Sequence, residues 1–312
     1  MMRGELRRNP SADVFVVLVR RFDPASEDLA RWELVRRGRK GAALSFATVH
    51  EAKYAALHPP RGARLAVGDI LTVLPMEYVS AIDERAMWLA VVTPGGVEGM
   101  EYLPSAYIVA ADGSWPSVWG ADAWAMLSIA AMGVRGDPVD VRRLTMAACA
   151  CARTALWAVP EGEDRPRLAL EAAEAWCAGR LHKDALYEAL RASAAYSDKL
   201  SENDYTDEWG AAGACESAAH VPLATDTSLA ATNAATLASG IGGSPGTHGR
   251  ARLAAMGPLV ERWIPLPVVL LAKLGYPDAI PFDPSTVPTV RTVPASSERP
   301  RENPRRGPRR PR

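Results

Sequence analysis

The seventeen residues Glu163-Asp-Arg-Pro-Arg-Leu-Ala-Leu-Glu-Ala-Ala-Glu-Ala-Trp-Cys-Ala-Gly179 carry both ends of a helix in one stretch. Acidic residues at its start can accept from the orphan N–H groups of the first turn. Pro166 suits a position where a missing N–H does no harm. Leu168, Ala172, Ala175 and Trp176 fall on or near one stripe at helical spacing, and Gly179 is a natural stop. A helix bounded this sharply cannot bury an apolar side by itself, so the chain around it must supply helical neighbours.

Those neighbours are legible from about residue 120 onward, where the sequence becomes rich in alanine. Asp137-Pro138 repeats the start signal ahead of a helix through Leu144, Ala147, Ala148, Cys151 and Leu156. Lys183 to Tyr196, carrying Leu186, Tyr187 and Leu190, predicts another. Further helices are expected at 209–220 and 226–239 and, after the Gly-rich stretch 240–249, at 250–263 and 265–274. Alanine lets helices approach closely, while Trp124, Trp157 and Trp176 offer bulk for the contacts. Beyond Pro277 the sequence turns to Pro, Ser, Thr and Arg, with little apolar surface to offset chain entropy.

The first ~115 residues have a different period. Apolar, β-branched runs at 13–20, 31–36, 69–75, 86–93 and 105–111 alternate with turn chemistry such as Arg37-Gly38, Val67-Gly68-Asp69 and Pro94-Gly95-Gly96. Between them, residues 45–57 predict one helix through Phe46, Val49, Tyr54 and Leu57. The fold expected is α+β: a small antiparallel β-rich domain over 1–115, an Ala-rich α-helical domain over 116–280, and a disordered Pro/Arg-rich basic tail over 281–312.

No apolar run approaches the roughly 18–20 residues that span a bilayer, and no cleavage pattern follows residues 14–19. The four cysteines lack the spacing of a secreted disulfide scaffold. A cytoplasmic protein without a membrane contact is expected. Its formal net charge of zero hides an asymmetry. Residues 298–312 hold seven Arg and two Glu, leaving the rest of the chain at −5. Much of the deficit lies between Asp198 and Asp226, where Asp198, Glu202, Asp204, Asp207, Glu208, Glu216 and Asp226 face only Lys199. Such a run is a solvated surface, or a docking face for a basic partner or for the chain's own Arg-rich tail.

Motifs for chemistry fail on inspection. Gly242-Gly-Ser244-Pro-Gly246 matches a nucleophile elbow in letters only, because Pro245 lacks the N–H that would serve as oxyanion donor. The same stretch has Pro where a dinucleotide fingerprint requires its third glycine, and no Walker-type loop is present. Cys149 and Cys151, two apart on a helix, diverge by about 200° and cannot share an ion. Cys215 and His220 are poorly spaced for a nucleophile–base pair. The sequence therefore predicts no catalytic residues, cofactor or metal. The tail lacks aromatic residues for base stacking, so it offers at most weak, non-specific nucleic-acid binding through counterion release.

Ala147-Ala-Cys-Ala-Cys-Ala-Arg153, Asp164 to Gly179, and the later Ser217-Ala-Ala-His-Val-Pro222 resemble a helical immunity-protein family of bacterial polymorphic toxin systems. The resemblance spans residues 142–239 and implies a helical, protein-binding module that neutralises a toxin. The expected partner contacts are Asp198, Glu202, Asp204, Asp207 and Glu208. Arg165 and Arg167 sit at the positive end of a helix dipole, where cations are disfavoured. A structural ion-pair cluster of Glu163, Asp164, Arg165, Arg167 and Glu171 is expected to offset this.

Overall fold

The computed structural model describes residues 15–21, 31–34, 36–37, 42–43, 45–46, 48–59, 63–75, 88–100, 122–131, 139–201, 206–242 and 247–289. The expected strand at 105–111, and the tail from residue 290 onward, lie outside these residues.

The N-terminal part is an antiparallel sheet built from β1 (Phe15–Arg21), β2 (Arg31–Leu34), β5 (Ser45–Phe46), β6 (Ile70–Pro75), β7 (Trp88–Thr93) and β8 (Gly96–Met100). Their order is β2-β1-β6-β7-β8, with β5 pairing the start of β1. β3 (Arg36–Arg37) and β4 (Ala42–Ala43) form a separate ladder. The helix expected over 45–57 divides in two: Ser45 and Phe46 pair with β1, and helix α1 runs over Val49–Leu57. Thr48 decides the boundary. Its hydroxyl accepts from the Glu51 N–H while the Glu51 carboxylate accepts from the Thr48 N–H, a reciprocal capping box. Of the Pro94-Gly95-Gly96 segment read as a turn, Pro94 and Gly95 form the turn and Gly96 opens β8.

β7 explains how the sheet is used. All six of its residues are buried, so both faces are covered. Trp88, Ala90 and Val92 pack with Val17, Val19, Leu71 and Val73 beneath Ala52 and Ala56 of α1. Leu89 and Val91, with Ile70, join the core of the helical part. The Trp88 ring lies across β8, where a Cβ on Gly99 would come within 2.5 Å of it.

The helical part comprises α2 (Ala123–Ala131), α3 (Val141–Arg153), α4 (Arg165–Cys177), α5 (Lys183–Ser201), α6 (Asp207–His220), α7 (Thr227–Gly240), α8 (Thr247–Trp263) and α9 (Leu266–Lys273). α6 is the axial helix and packs against α3, α4, α5 and α7. Small residues permit this: Ala211, Ala212, Ala214, Cys215, Ala218 and Ala219 are all buried, facing a similar alanine set on α7. The filling volume comes from Met126, Leu127, Leu144, Leu170, Leu186, Leu270 and Leu271. It does not come from Trp124 and Trp157, which are 49% and 66% exposed. α3 starts later than Asp137-Pro138 suggests; its N-cap is Asp140, whose carboxylate accepts from the Arg142 N–H. Among the described residues no single helix is long and apolar enough to cross a membrane. α8 and α9 reach that length together only across a 69° bend.

Residues 275–289 correct the expected tail boundary. They form a strap over the junction of sheet and helices. The Tyr276 hydroxyl donates to Glu98 of β8 at 3.0 Å, and Ile280 fills the space beside Gly68, whose φ of +93° suits glycine. Phe282 and Val287 are buried. Two apolar side chains, with the backbone hydrogen bonds described below, suffice to order a stretch that composition alone marks as tail.

Candidate functional site

α4 begins with a chain of ion pairs. Asp164 occupies the N-cap position without making a capping bond. Glu163 substitutes for it, accepting from the Arg165 N–H at 3.1 Å and from the Arg165 guanidinium at 2.7 and 2.5 Å. Arg167 bridges Asp164 at 2.8 Å and Glu171 at 2.5 Å. The hydrogen bonds from Arg165 hold the Glu163 carboxyl below its ordinary range. Both arginines at the unfavourable end of the dipole are thus compensated locally.

The structure connects this cluster to the acidic run through Tyr196, which sequence reasoning missed. The Arg165 guanidinium lies 4.5 Å from the centre of the Tyr196 ring, and the Tyr196 hydroxyl donates to the Glu208 carboxylate. Burial, reinforced by Glu208, pushes the phenol up. Asp207 is also engaged, accepting from the Gly242 N–H at 2.7 Å. These two acids of the candidate contact set therefore tie the start of α6 to α5 and to the end of α7. Asp198 stands exposed on α5; Glu202 and Asp204 lie outside the described residues.

Two contacts fix the antiparallel alignment of α4 and α5. Lys183 Nζ sits 5.9 Å from the Trp176 ring at one end, and Arg165 covers Tyr196 at the other. Pro166, Ala169, Leu170, Ala173, Glu174 and Cys177 form the buried face of α4. Of the stripe read from the sequence, Ala172 and Trp176 are half-buried against the edge of the core, while Leu168 points outward and is 45% exposed. What makes the polar face buriable is Arg153 of α3, whose guanidinium makes two 2.7 Å bonds to Glu174, itself 4% exposed. α5 presents Asp184, Tyr187, Glu188, Arg191 and Asp198 along its outer side. Glu216 of α6 lies within electrostatic reach of Asp198; burial, then that like charge, pushes its carboxyl up, opposed by a hydrogen bond with Ser197.

The cysteines have the character of core residues. All four are free and buried. Burial pushes Cys151, Cys177 and Cys215 up to about 12, and Cys149 well above its ordinary value, so none has thiolate character near neutrality. Cys215 is buried while His220, on the same helix, is exposed. Among the described residues no group of three or more His, Cys, Asp or Glu side chains is placed to hold a metal ion. Comparison with protein-family models, with curated proteins and with solved structures finds no match to this chain. The class that can be stated is an α+β protein whose sheet and Ala-rich helices share a core.

Proposed function

We propose that this chain is a non-catalytic protein-binding module that takes a basic protein partner on the acidic flank of α5 and α6, in the manner of an immunity protein neutralising a toxin in the bacterial cytoplasm. The observation that carries this reading is the concentration of carboxylates. Residues 183–240 hold nine acidic and three basic side chains, and Asp184, Glu188 and Asp198 are exposed along one helix. A net negative field of this kind speeds encounter with a basic surface and selects against acidic ones.

The test is capture of a partner from a toxin-bearing host, followed by affinity measurement on the purified pair. Asp207 and Glu208 are poor positions for charge reversal, because they hold Gly242 and Tyr196. The informative variant is Asp184→Lys, Glu188→Lys and Asp198→Lys together. At ~0.5–1 kcal/mol per interfacial charge the complex should weaken about 10- to 100-fold, mainly through a slower on-rate at low salt. Unchanged affinity in a folded triple variant would remove the acidic flank as the contact.

A further inference from the structure

We infer that the outer face of α8, together with Trp157 beside it, is a docking surface for an acidic amphipathic helix of a partner protein. The surface shares no residue with the acidic flank of α5 and α6 and carries the opposite sign, so it goes beyond the partner-binding reading and does not depend on it.

The helix face is continuous. Along α8, Arg250, Ala251, Ala254, Ala255, Pro258 and Arg262 are exposed, and at ~100° per residue they fill one arc of about 140°. Its middle is small and apolar, which lets a second helix settle at the close end of the usual 8–10 Å axial separation. Its ends are cationic, with Arg250 and Arg262 separated by ~18 Å along the axis.

Trp157 supplies the bulk that the alanines lack. It lies in the 3-10 turn Leu156–Ala158 that follows α3. That turn is closed by bonds from the Ala158 N–H to the Ala155 carbonyl at 3.0 Å and from the Val159 N–H to the Leu156 carbonyl at 3.1 Å. Leu156 packs on the core, while Trp157 is 66% exposed. The ring is nevertheless held in place. A Cβ on Gly242 would come within 3.3 Å of Arg252 Nη2 and 3.5 Å of Trp157 Cη2, so the edge of α8 and the indole converge on one glycine. A fixed, exposed Trp beside an Arg is the composition of an interface anchor.

Charge selects the occupant. α8 carries three arginines and a single acid, Glu261, which is half-buried and has a partner of its own. Arg165 and Arg167 of α4 are each held by carboxylates, and Arg262 lies 5.7 Å from the Trp263 ring. Arg250 and Arg252, by contrast, have neither an ion pair nor a hydrogen bond among the described residues. A helix that lays leucines on Ala254, Pro258 and Trp157, with carboxylates along its borders, pairs those arginines and covers the apolar arc. A nucleic-acid strand fits less well. The exposed Asp207, bonded to the Gly242 N–H, places a carboxylate in the path of the phosphates, and one exposed ring offers a single stacking platform.

The experiment uses the full chain and a capped peptide of three Leu-Glu-Ala-Leu-Glu-Ala-Glu repeats, with a control peptide carrying Lys at every Glu. At low salt, the acidic peptide should shift backbone amide signals of Arg250 to Arg262 and of Leu156 to Ala158, with a dissociation constant of about tens of micromolar. The Lys peptide should leave them in place. Arg250→Glu with Arg252→Glu should weaken binding at least about tenfold, as should Trp157→Ala, whereas Trp157→Phe should retain most of it. Thermal melts confirm that each variant is folded. No shift at about 1 mM acidic peptide overturns the proposal. So do shifts centred on other helices, equal binding of the Lys peptide, or affinity that survives both the double reversal and Trp157→Ala. Signals that move with protein concentration before any peptide is added would assign the face to a second copy, and displacement of the peptide by a thymidine single strand would assign it to nucleic acid; either overturns the proposal as well. The triple reversal at Asp184, Glu188 and Asp198 should leave peptide binding unchanged, so failure of one surface is read separately from failure of the other.

Discussion

Arg143 offers the sharpest test of how the helices and the strap are joined. The side chain is buried, and its guanidinium donates to three backbone carbonyls: Trp263 at 3.0 Å, Ile280 at 3.0 Å and Pro281 at 2.9 Å. It thereby clamps the end of α8 to the strap from α3. Arg143→Met keeps most of the aliphatic volume and removes the clamp. A hydrogen bond involving a charged group contributes ~1.5–3 kcal/mol, so three would supply ~4.5–9 kcal/mol. Burial of the guanidinium, which also lowers its proton affinity, offsets several kcal/mol of that. The net expected loss is ~2–4 kcal/mol, read as a lower guanidinium midpoint at unchanged slope. Hydrogen exchange should show the strap, residues 276–289, losing protection before α6 or α7 does. Arg143→Lys keeps the charge without the fork and should fall between the two. Phe282→Ala is the comparator: it empties a site beside Trp263 and should cost ~3–4 kcal/mol through the cavity alone. If Arg143→Met stays within ~0.5 kcal/mol of the parent and the strap amides remain protected while Phe282→Ala unfolds it, apolar burial holds the strap and the clamp argument is wrong.

Tyr196→Phe removes the donor to Glu208 and should cost ~1–2 kcal/mol in a denaturant melt, with Glu208→Gln milder because it retains an acceptor. Gly213→Val forces a branched side chain toward Leu237, which a bare Cβ would already approach to 3.2 Å; overpacking of ~2–3 kcal/mol is expected, and a neutral effect would show the α6–α7 contact to be looser than drawn. Stability against pH should have two limbs. Glu163 and Asp140 are depressed in the fold, the first by Arg165 and the second by Arg142 against the opposing effect of burial, so their contribution is present above their ordinary carboxylate values and lost as pH falls below them. Glu216 is raised, so the fold gains as pH falls through its elevated value and has gained fully below 4.5; Glu216→Gln should abolish that rise in an isothermal melt series. A thiol reagent should find no fast-reacting cysteine in the native chain and four after denaturation, since all four are buried.

What the sequence conveys well is whatever is local. The N-terminal punctuation of α4, the small residues on α6 and α7 and the apolar run of β7 each express a physical preference of a few consecutive residues, and each is realised within a residue or two. The errors arise where a distant partner changes the meaning of a residue. In α4 the large apolar side chain Leu168 faces outward while Glu174 is buried, because Arg153, twenty-one residues away, supplies two hydrogen bonds and a charge to the carboxylate. Without that arginine the helix would bury an unpaired acid, and turning it about its axis to bury Leu168 instead would be favoured. The same logic governs the candidate contacts. Asp207 and Glu208 belong to the acidic run by composition, yet Gly242 and Tyr196 convert them into ties within the bundle. Subtracting those two shifts the available negative charge toward α5, where Asp184, Glu188 and Asp198 remain exposed. Of the candidate contact set, Asp198 is thus the described member that lies with Asp184 and Glu188 on the outer side of α5, and those three acids are what a partner on that face would meet.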